Sequence, residues 1–422
     1  MIWANLIHIY QPPTQTGAIV EKVYAEAYQK IVNILTAYPD ARLTVNINAT
    51  LTEQLQRYDL TGVLDTLSEL AAARQIEFTG SAKFHPILPL IHPREAERQI
   101  RLNEDTNREL LGNSYQPRGF FLPELCYSRS IAELIERLGY EWLILDEIAY
   151  NGRLGSLRAL EQCVYALRGS QLKVVFRNRR ASNLISFGGM PRGAEFLNEL
   201  ERLQVGGDSA GYLLTATDGE VYGHHRKGQE KLLSDLYSAR AVETSTISEL
   251  VNTVEVQETV EPVASSWSAG EDELKADIPY PQWRFPGNLI HQRQWRLANL
   301  ATAAVHQAEA EGEVEPAVRA GLDEGLHSCQ FWWASCRPWW NVEMIRKGAE
   351  RLFSAVDGLR GAVDERIVAE AAWLAEHIVT YAEELQRSGD ALRLQRAYLE
   401  SHRAVTSLLT FGSAREAKDK RR

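Results

Sequence analysis

No stretch of this chain approaches the roughly 18 consecutive apolar residues that a membrane-spanning helix requires, so a membrane-embedded fold is not expected. A positive n-region is missing too. The chain opens Met1-Ile2-Trp3, and Asn5 and His8 interrupt its first apolar stretch, which reads as a first strand rather than a signal peptide. Cysteine is scarce: Cys126, Cys163, Cys329 and Cys336 show no CxxC spacing and sit in core-like segments. That is the pattern of free thiols in a reducing cytoplasm, and it argues against a disulfide framework or a zinc site. No GxGxxG or GxxxxGK[ST] loop follows the first strand, which removes the usual nucleotide-binding reading. Positive charge is in deficit. With 46 Lys and Arg against 56 Asp and Glu, the net charge is −10, spread along 422 residues, which argues against a nucleic-acid groove and for a neutral or small ligand. Internal repeats and low-complexity tracts are absent, and the one basic cluster, Lys418 to Arg422, reads as a solvated end.

What is present is the balance of an ordinary globular protein, 45% hydrophobic and 24% charged, in a length that suits one large α/β domain plus a smaller module. From residue 1 to about 283, short β-branched or aromatic runs alternate with helical patterns, the mark of βα units and a mostly parallel sheet. The expected strands are Ile2 to Ile9, Arg42 to Ile47, Ile76 to Phe78, Phe120 to Leu122, Trp142 to Leu145, Val174 to Phe176, Tyr212 to Thr217 and the short Val263-Ala264. Helices are expected over Gly17 to Tyr38, Leu64 to Ala73, Arg94 to Leu111 and Ser130 to Leu138, with a Gly-rich loop at Leu203 to Gly211. Pro279-Tyr280-Pro281 marks a boundary. Beyond it, long amphipathic patterns (Leu289 to Ala310, Pro316 to Phe331, Val342 to Leu359, Asp364 to Arg387, Ala391 to Leu409) predict a helical bundle, with Asp364 and Asp390 as N-caps and Gly389 as a stop. The expected division is a barrel over 1–283, a bundle over 284–412 and a flexible basic tail over 413–422.

Nearly every strand-like run ends on a polar or ring-bearing residue. In a parallel barrel those ends share one face, so His8, Glu124, Asp146, Arg177, Asp218 and Trp267 would converge although they are remote along the chain. Of the three acids in that set, two carry the argument, Glu124 behind Gly119 to Pro123 and Asp218 behind Tyr212 to Thr217. An acid at a strand end sits half in low-dielectric protein and half at a cleft, where paired carboxylates do acid and base chemistry. Taken alone, Glu124 also fits a surface loop and Asp218-Gly219 a hairpin turn. Against the turn stand Glu220, Tyr222, Gly223, His224 and His225, which follow at once. Breaking a glycosidic bond needs such a pair, one carboxylate at the anomeric carbon and one acid to protonate the leaving oxygen.

Read in order, His8-Ile9-Tyr10-Gln11-Pro12, Gly80 to His85-Pro86-Ile87, Phe121-Leu122-Pro123-Glu124 and Thr217-Asp218-Gly219-Glu220-Val221-Tyr222-Gly223 resemble the first four sequence regions of the family 57 glycoside hydrolases. Phe176-Arg177 to Ile185-Ser186-Phe187 and Ser265-Ser266-Trp267-Ser268 are similar to that family as well. The resemblance implies an incomplete (β/α)7 TIM-like barrel followed by a helical bundle, and a retaining α-glucan hydrolase or transferase of the α-amylase or 4-α-glucanotransferase type. It implies Glu124 as nucleophile and Asp218 as general acid and base. It places His8, Gln11, His85, Phe121, Glu220, His225 and Trp267 near an α-glucan or maltooligosaccharide substrate. The chain departs from the pattern at Tyr10, where the family often has a second histidine, at Phe121, where it often has tryptophan, and at His225, where some members have tryptophan. These changes touch sugar subsites and leave the two acids intact.

The densest aromatic stretch, Phe331-Trp332-Trp333 to Arg337-Pro338-Trp339-Trp340, falls in the helical region. Bundle core is its plain reading. Yet flat indoles also stack on sugar faces while offering an N–H donor, so Trp332 and Trp333 are candidates for the bundle's share of the cleft. No cofactor is expected, nor a nucleic-acid or membrane partner, and the sequence assigns no oligomeric state. Two other functions stay open on these residues. One is a glycan-binding relative without turnover. The other is a metal-dependent carbohydrate deacetylase on a related barrel, for which His8-Ile9-Tyr10 lacks a second ligand.

Overall fold

A computed structural model describes residues 2–159, 163–189, 192–202, 211–312 and 314–401. Among the described residues ten strands form two five-stranded sheets: β1 Ile2–Ile9, β2 Leu43–Ile47, β3 Ile76–Phe78, β4 Gly119–Phe121, β5 Trp142–Asp146, β6 Val164–Leu167, β7 Lys173–Arg177, β8 Tyr212–Asp218, β9 Glu243–Ser245 and β10 Val256–Val260. One sheet runs β3-β2-β1-β8 with β9 paired to the start of β1, and the other runs β10-β6-β7-β5-β4. Every pairing is parallel except β6 with β7. β1 is buried along almost its whole length and is mostly apolar, as befits a strand covered on both faces.

The two sheets meet at two seams. At the first, Gly80 bridges to Phe120, its N–H donating to Gly119 O at 2.8 Å and its carbonyl accepting from Phe121 N at 2.9 Å. Only glycine fits there, because a Cβ would lie 2.2 Å from the Tyr140 hydroxyl. At the second, Asn178 N donates to Leu214 O at 2.8 Å, joining the end of β7 to β8. The barrel order is therefore β8-β1-β2-β3-β4-β5-β7. Seven strands round an incomplete (β/α)7 barrel, with β6, β9 and β10 as short additions outside it.

Three of the expected elements change. Val263-Ala264 is not a strand; it lies in a loop held by Val263 N on Ala149 O at 2.8 Å and by an antiparallel bridge from Ser265 to Tyr127. The expected helix over Gly17 to Tyr38 contains a five-residue π turn, Tyr24–Tyr28, between two α segments. The helix expected over Pro316 to Phe331 stops at Gly325 and restarts as the short Cys329–Trp332. The remaining helices of this region, Leu289–Glu311, Val342–Asp357, Glu365–Ser388 and Asp390–Ser401, form a bundle with its own apolar core. Asp364 caps its helix by accepting from Arg366 N at 2.9 Å, and Gly389 stops it with φ +80°. The expected loop over Leu203 to Gly211, apart from Gly211 itself, lies outside the described residues, as do the basic tail and the chain beyond Ser401. Among the described residues no helix is long and apolar enough to cross a membrane, and all four cysteines are free.

Candidate active site

The parallel register of β1 and β8 sets His8 directly beside Asp218. Gly219 then turns the chain across the end of β1, so close that a Cβ would stand 2.4 Å from Ile9 Cγ2. From β4 the chain passes Leu122-Pro123 and enters Glu124 in the left-handed region, φ 58° and ψ 19°, with Leu125 following at φ 48°. Such a conformation costs a non-glycine residue roughly 1–3 kcal/mol, a strain that clusters at functional sites. The Glu124 carboxylate is thereby turned from the strand end toward the ring cluster. His8 stacks on Phe121 at 4.8 Å and on His85 at 4.9 Å, Tyr10 stacks on His85 at 4.3 Å, and Trp267 meets Phe121 edge-on at 6.0 Å. His85 is itself left-handed, with φ 55°.

One donor stands at Glu124. The indole Nε1 of Trp267 donates to Oε2 at 2.7 Å, while His85 Nδ1 lies 3.9 Å from Oε1. Burial and the charge of Asp218 push the Glu124 carboxyl up to about 8, against the pull of the Trp267 hydrogen bond. Burial and the charge of Glu220 push Asp218 up to about 7, opposed by His225 and Arg177. Between about 7 and about 8 the two carboxyls together carry one proton, mainly on Glu124 as the higher of the two, and the form with the proton on Asp218 is its minor partner. The Trp267 N–H favours the charge on Glu124, and the Glu220 charge favours the proton on Asp218.

His8 and His85 are neutral. Burial lowers His8 to about 4, and its Nδ1–H donates to Asn46 Oδ1 at 2.6 Å; the Asn46 amide is oriented by its own bond to Thr79 Oγ1 at 2.9 Å. That leaves the His8 Nε2 as an acceptor. Burial together with His8 and His327 holds His85 well below the usual range. Glu220 is buried under Asp218, its Oε1 accepting from the Tyr28 hydroxyl and from Gln11 Nε2 at 3.2 Å. Gln11 and Glu220 thus bind each other. His225 lies exposed at the rim within electrostatic reach of Asp218.

Below the carboxylates, Asp146 is fully buried between two arginines. Its Oδ2 accepts from Arg177 Nε at 2.7 Å, and its Oδ1 from Arg179 Nε at 2.8 Å and from Ile148 N at 3.1 Å. Burial alone would raise the Asp146 carboxyl, but the two guanidiniums outweigh it and hold it below the usual value. The Arg177 guanidinium lies 4.9 Å from the Trp267 ring.

From the bundle come Ser328 and Cys329. Ser328 Oγ is 3.0 Å from His85 Nδ1, its N–H donates to His85 O at 3.2 Å, and Cys329 Sγ is 3.7 Å from the Tyr10 hydroxyl. Sequence reasoning missed these two, along with Tyr28, Asn46 and Arg179. Trp332 and Trp333 follow one turn later. Trp332 donates to Gln282 Oε1 at 3.0 Å and stacks on Trp339 at 4.5 Å, with Trp333 edge-on at 4.7 Å. Among the described residues the Trp332 N–H meets Gln282, and the two rings pack on each other, on Trp339 and against the bundle core rather than on the two carboxylates. No group of three or more His, Cys, Asp or Glu among the described residues is placed to hold a metal ion.

The family model described as glycosyl hydrolase family 57 matches residues 6–265. An α-amylase of Pyrococcus horikoshii is 26% identical over 218 residues, 51% of this chain and 33% of that protein. A 4-α-glucanotransferase of Thermococcus litoralis is 24% identical over 218 residues, 51% of this chain and 32% of that protein. The chain thus aligns with about a third of the length of these curated relatives. In solved structures, the T. litoralis 4-α-glucanotransferase superposes with TM-score 0.65 at 17% identity, covering 84% of this chain and 59% of that one. A branching enzyme of the same family from Thermococcus kodakaraensis gives TM-score 0.64 at 16% identity, covering 89% and 94%.

Proposed function

The chain belongs to glycosyl hydrolase family 57, and from that premise we propose that it is a retaining α-glucan hydrolase or transglycosylase with Glu124 as nucleophile and Asp218 as general acid and base. In this reading residues 1–283 form the catalytic barrel and 284–412 a bundle that completes the cleft. The observation that carries the proposal is the meeting of two half-buried carboxylates at the ends of β4 and β8, joined through His8, which lies in register with Asp218 and stacks on Phe121, with a single N–H donor committed to Glu124. Glu124 Oε2 is held by Trp267, so Oε1 is the oxygen that attacks the anomeric carbon. Asp218 gives its proton to the departing glycosidic oxygen. Once Glu124 is esterified its charge is gone, and Asp218 then ionises to deprotonate the incoming water or sugar hydroxyl. His8 and His85, both neutral, present ring edges to the sugar without adding charge.

Product analysis on maltooligosaccharides tests the reading. Chains longer than the input mean transfer to sugar, shorter ones alone mean hydrolysis, and no change in any α-glucan overturns the proposal.

The proton shared by the two acids fixes the pH response. Below about 7 both carboxyls are protonated and the nucleophile is neutral; above about 8 both are ionised and the acid is missing. The profile of kcat/KM is expected to be a narrow bell centred in the neutral range. Glu220→Gln, which removes a negative charge beside Asp218, should move the acid limb, which follows Asp218 at about 7, to lower pH, and an unmoved limb would count against Glu220 as the group that raises Asp218.

The Trp332 cluster offers stacking faces one turn from Cys329, beside the barrel site. Trp332→Ala is expected to raise KM for long maltooligosaccharides by about tenfold with kcat nearly unchanged, in line with a stacking contact of ~1–1.5 kcal/mol. Equal KM values for variant and parent would remove the cluster from the substrate path.

A further inference from the structure

Between the two carboxylates and the barrel wall lies a buried group that the proposed reaction does not use: Asp146, Arg177 and Arg179. Its contacts converge on one residue. Arg179 donates from Nη2 to Ser266 O at 3.3 Å and from Nη1 to Ala269 O at 2.7 Å, gripping the main chain on both sides of Trp267. Arg177 covers the Trp267 ring with its guanidinium. It also donates from Nη1 to Ala216 O at 2.8 Å, two residues before Asp218. Asp146 holds both arginines, Arg177 through Oδ2 and Arg179 through Oδ1, and Ile148 N adds a third hydrogen bond to it.

Trp267 needs such support. Its segment, residues 261–270, holds no helix or strand; its main chain is tied to the Glu124 segment by the Ser265–Tyr127 bridge and by Trp267 N on Glu124 O at 3.3 Å, contacts that place the backbone and leave the ring orientation to side chains. Its indole N–H nonetheless has to meet Glu124 Oε2 at hydrogen-bond distance. A bidentate guanidinium is the side chain suited to hold two carbonyls at fixed spacing, and a second one packed on the indole face removes the remaining ring rotation. We propose that Asp146, Arg177 and Arg179 are positioning residues that hold the Trp267 indole in the one orientation that aims its N–H at Glu124. Through Trp267 they fix which carboxylate oxygen is free to attack, and through Ala216 the same Arg177 registers the strand end that carries Asp218. The proposal rests on the assignment of Glu124 as nucleophile for its catalytic consequence, but its structural content stands without it.

The test uses Arg179→Lys, which keeps the positive charge beside Asp146 and loses the two-pronged grip. The full-length protein is labelled with 5-fluorotryptophan, and the Trp267 fluorine resonance is assigned by its absence in Trp267→Phe. In Arg179→Lys that resonance is expected to shift and broaden while the other nine stay in place. kcat is expected to fall about tenfold to a hundredfold, as for a displaced catalytic contact. The double variant Arg179→Lys, Trp267→Phe should lose no more than Trp267→Phe alone. The alkaline limb of the pH profile, which follows Glu124 at about 8, should move up in both single variants, because each weakens the Trp267 hydrogen bond that lowers Glu124. Glu124 also faces Asp218, His85, Tyr10, Cys126 and Cys329, none of which the substitution changes. An unmoved Trp267 resonance, losses that add, or shifts across all ten tryptophans would each overturn the proposal. If no α-glucan is turned over by the parent protein, the reaction assignment fails while the fluorine measurement still decides the clamp.

Discussion

Glu124→Gln is expected to lower α-glucan turnover by a factor on the order of 10,000 or more, because the amide keeps the shape of the side chain and removes the attacking oxygen. The fold should survive, and the reason is specific. The Glu124 carboxyl stands at about 8 in the folded protein against an ordinary value of 4.5, so the folded state binds its proton more tightly than the unfolded chain does. Its contribution to stability is fully present below about pH 4.5 and is lost as the pH rises through 8. A glutamine never ionises. The variant should therefore melt at or above the parent temperature at pH 9, where the parent carries an uncomfortable buried charge. Asp218→Asn gives the complementary result. With an α-glycosyl fluoride, whose departure needs no acid, the first step proceeds and the second, lacking its base, stalls. Mass spectrometry should then find a glycosyl ester on the peptide that contains Glu124. Sugar found on another residue, or undiminished turnover in either variant, sinks the mechanism.

The barrel strands were legible because burial on both faces leaves a short apolar run with a polar end, and Ile2–Ile9 and Ile76–Phe78 match that reading residue for residue. β9 and β10 were not, since Glu-Thr-Ser and Val-Gln-Glu-Thr-Val carry no apolar run at all; they are sheet edges, where one side of the strand meets solvent. β6 was hidden for another reason. It pairs antiparallel with β7 across the turn at Arg168-Gly169-Ser170-Gln171, a hairpin in a stretch whose other units alternate strand and helix. In the site, the residues at strand ends could be read because parallel strands bring their ends together whatever the separation. Ser328 and Cys329 could not. They reach His85 and Tyr10 only because one helical segment folds back over the barrel mouth, and the bond from Ser328 to His85 spans 243 positions. Tyr28 was obscured in the same way: the π turn that carries it toward Glu220 adds a residue to a helix whose amphipathic pattern shows only the face turned to the core.

That fold-back depends on a second buried charge cluster, and Arg319→Met is expected to show it. Glu95, fully buried on the helix Pro93–Leu111, pairs with Arg319 from the bundle helix Pro316–Gly325 and with His306 Nε2 at 2.6 Å. Asp323 accepts from Arg319 Nη2 at 2.8 Å and from Arg98 Nη2 at 2.8 Å, so the cluster ties barrel helix to bundle from both sides. Burial would raise the Glu95 carboxyl, yet Arg319 and His306 outweigh it and hold it below 4.5. A depressed carboxyl contributes stability above its unfolded value that is lost as the pH falls through the folded one, so the contribution of Glu95 should be lost only below about pH 4.5. Removing Arg319 strands a buried carboxylate at neutral pH. The expected cost is about 3–5 kcal/mol in urea unfolding. Methionine at both Glu95 and Arg319 should recover most of it, because a buried pair replaced by apolar side chains of similar volume leaves no charge unpaired, while Asp323 keeps Arg98. A double variant as weak as Arg319→Met alone would mean that the loss came from packing and not from the orphaned charge. If the bundle's hold on the barrel mouth runs through this cluster, the single variant should also raise KM for maltooligosaccharides in urea concentrations below its unfolding transition, where the parent and the double variant keep theirs.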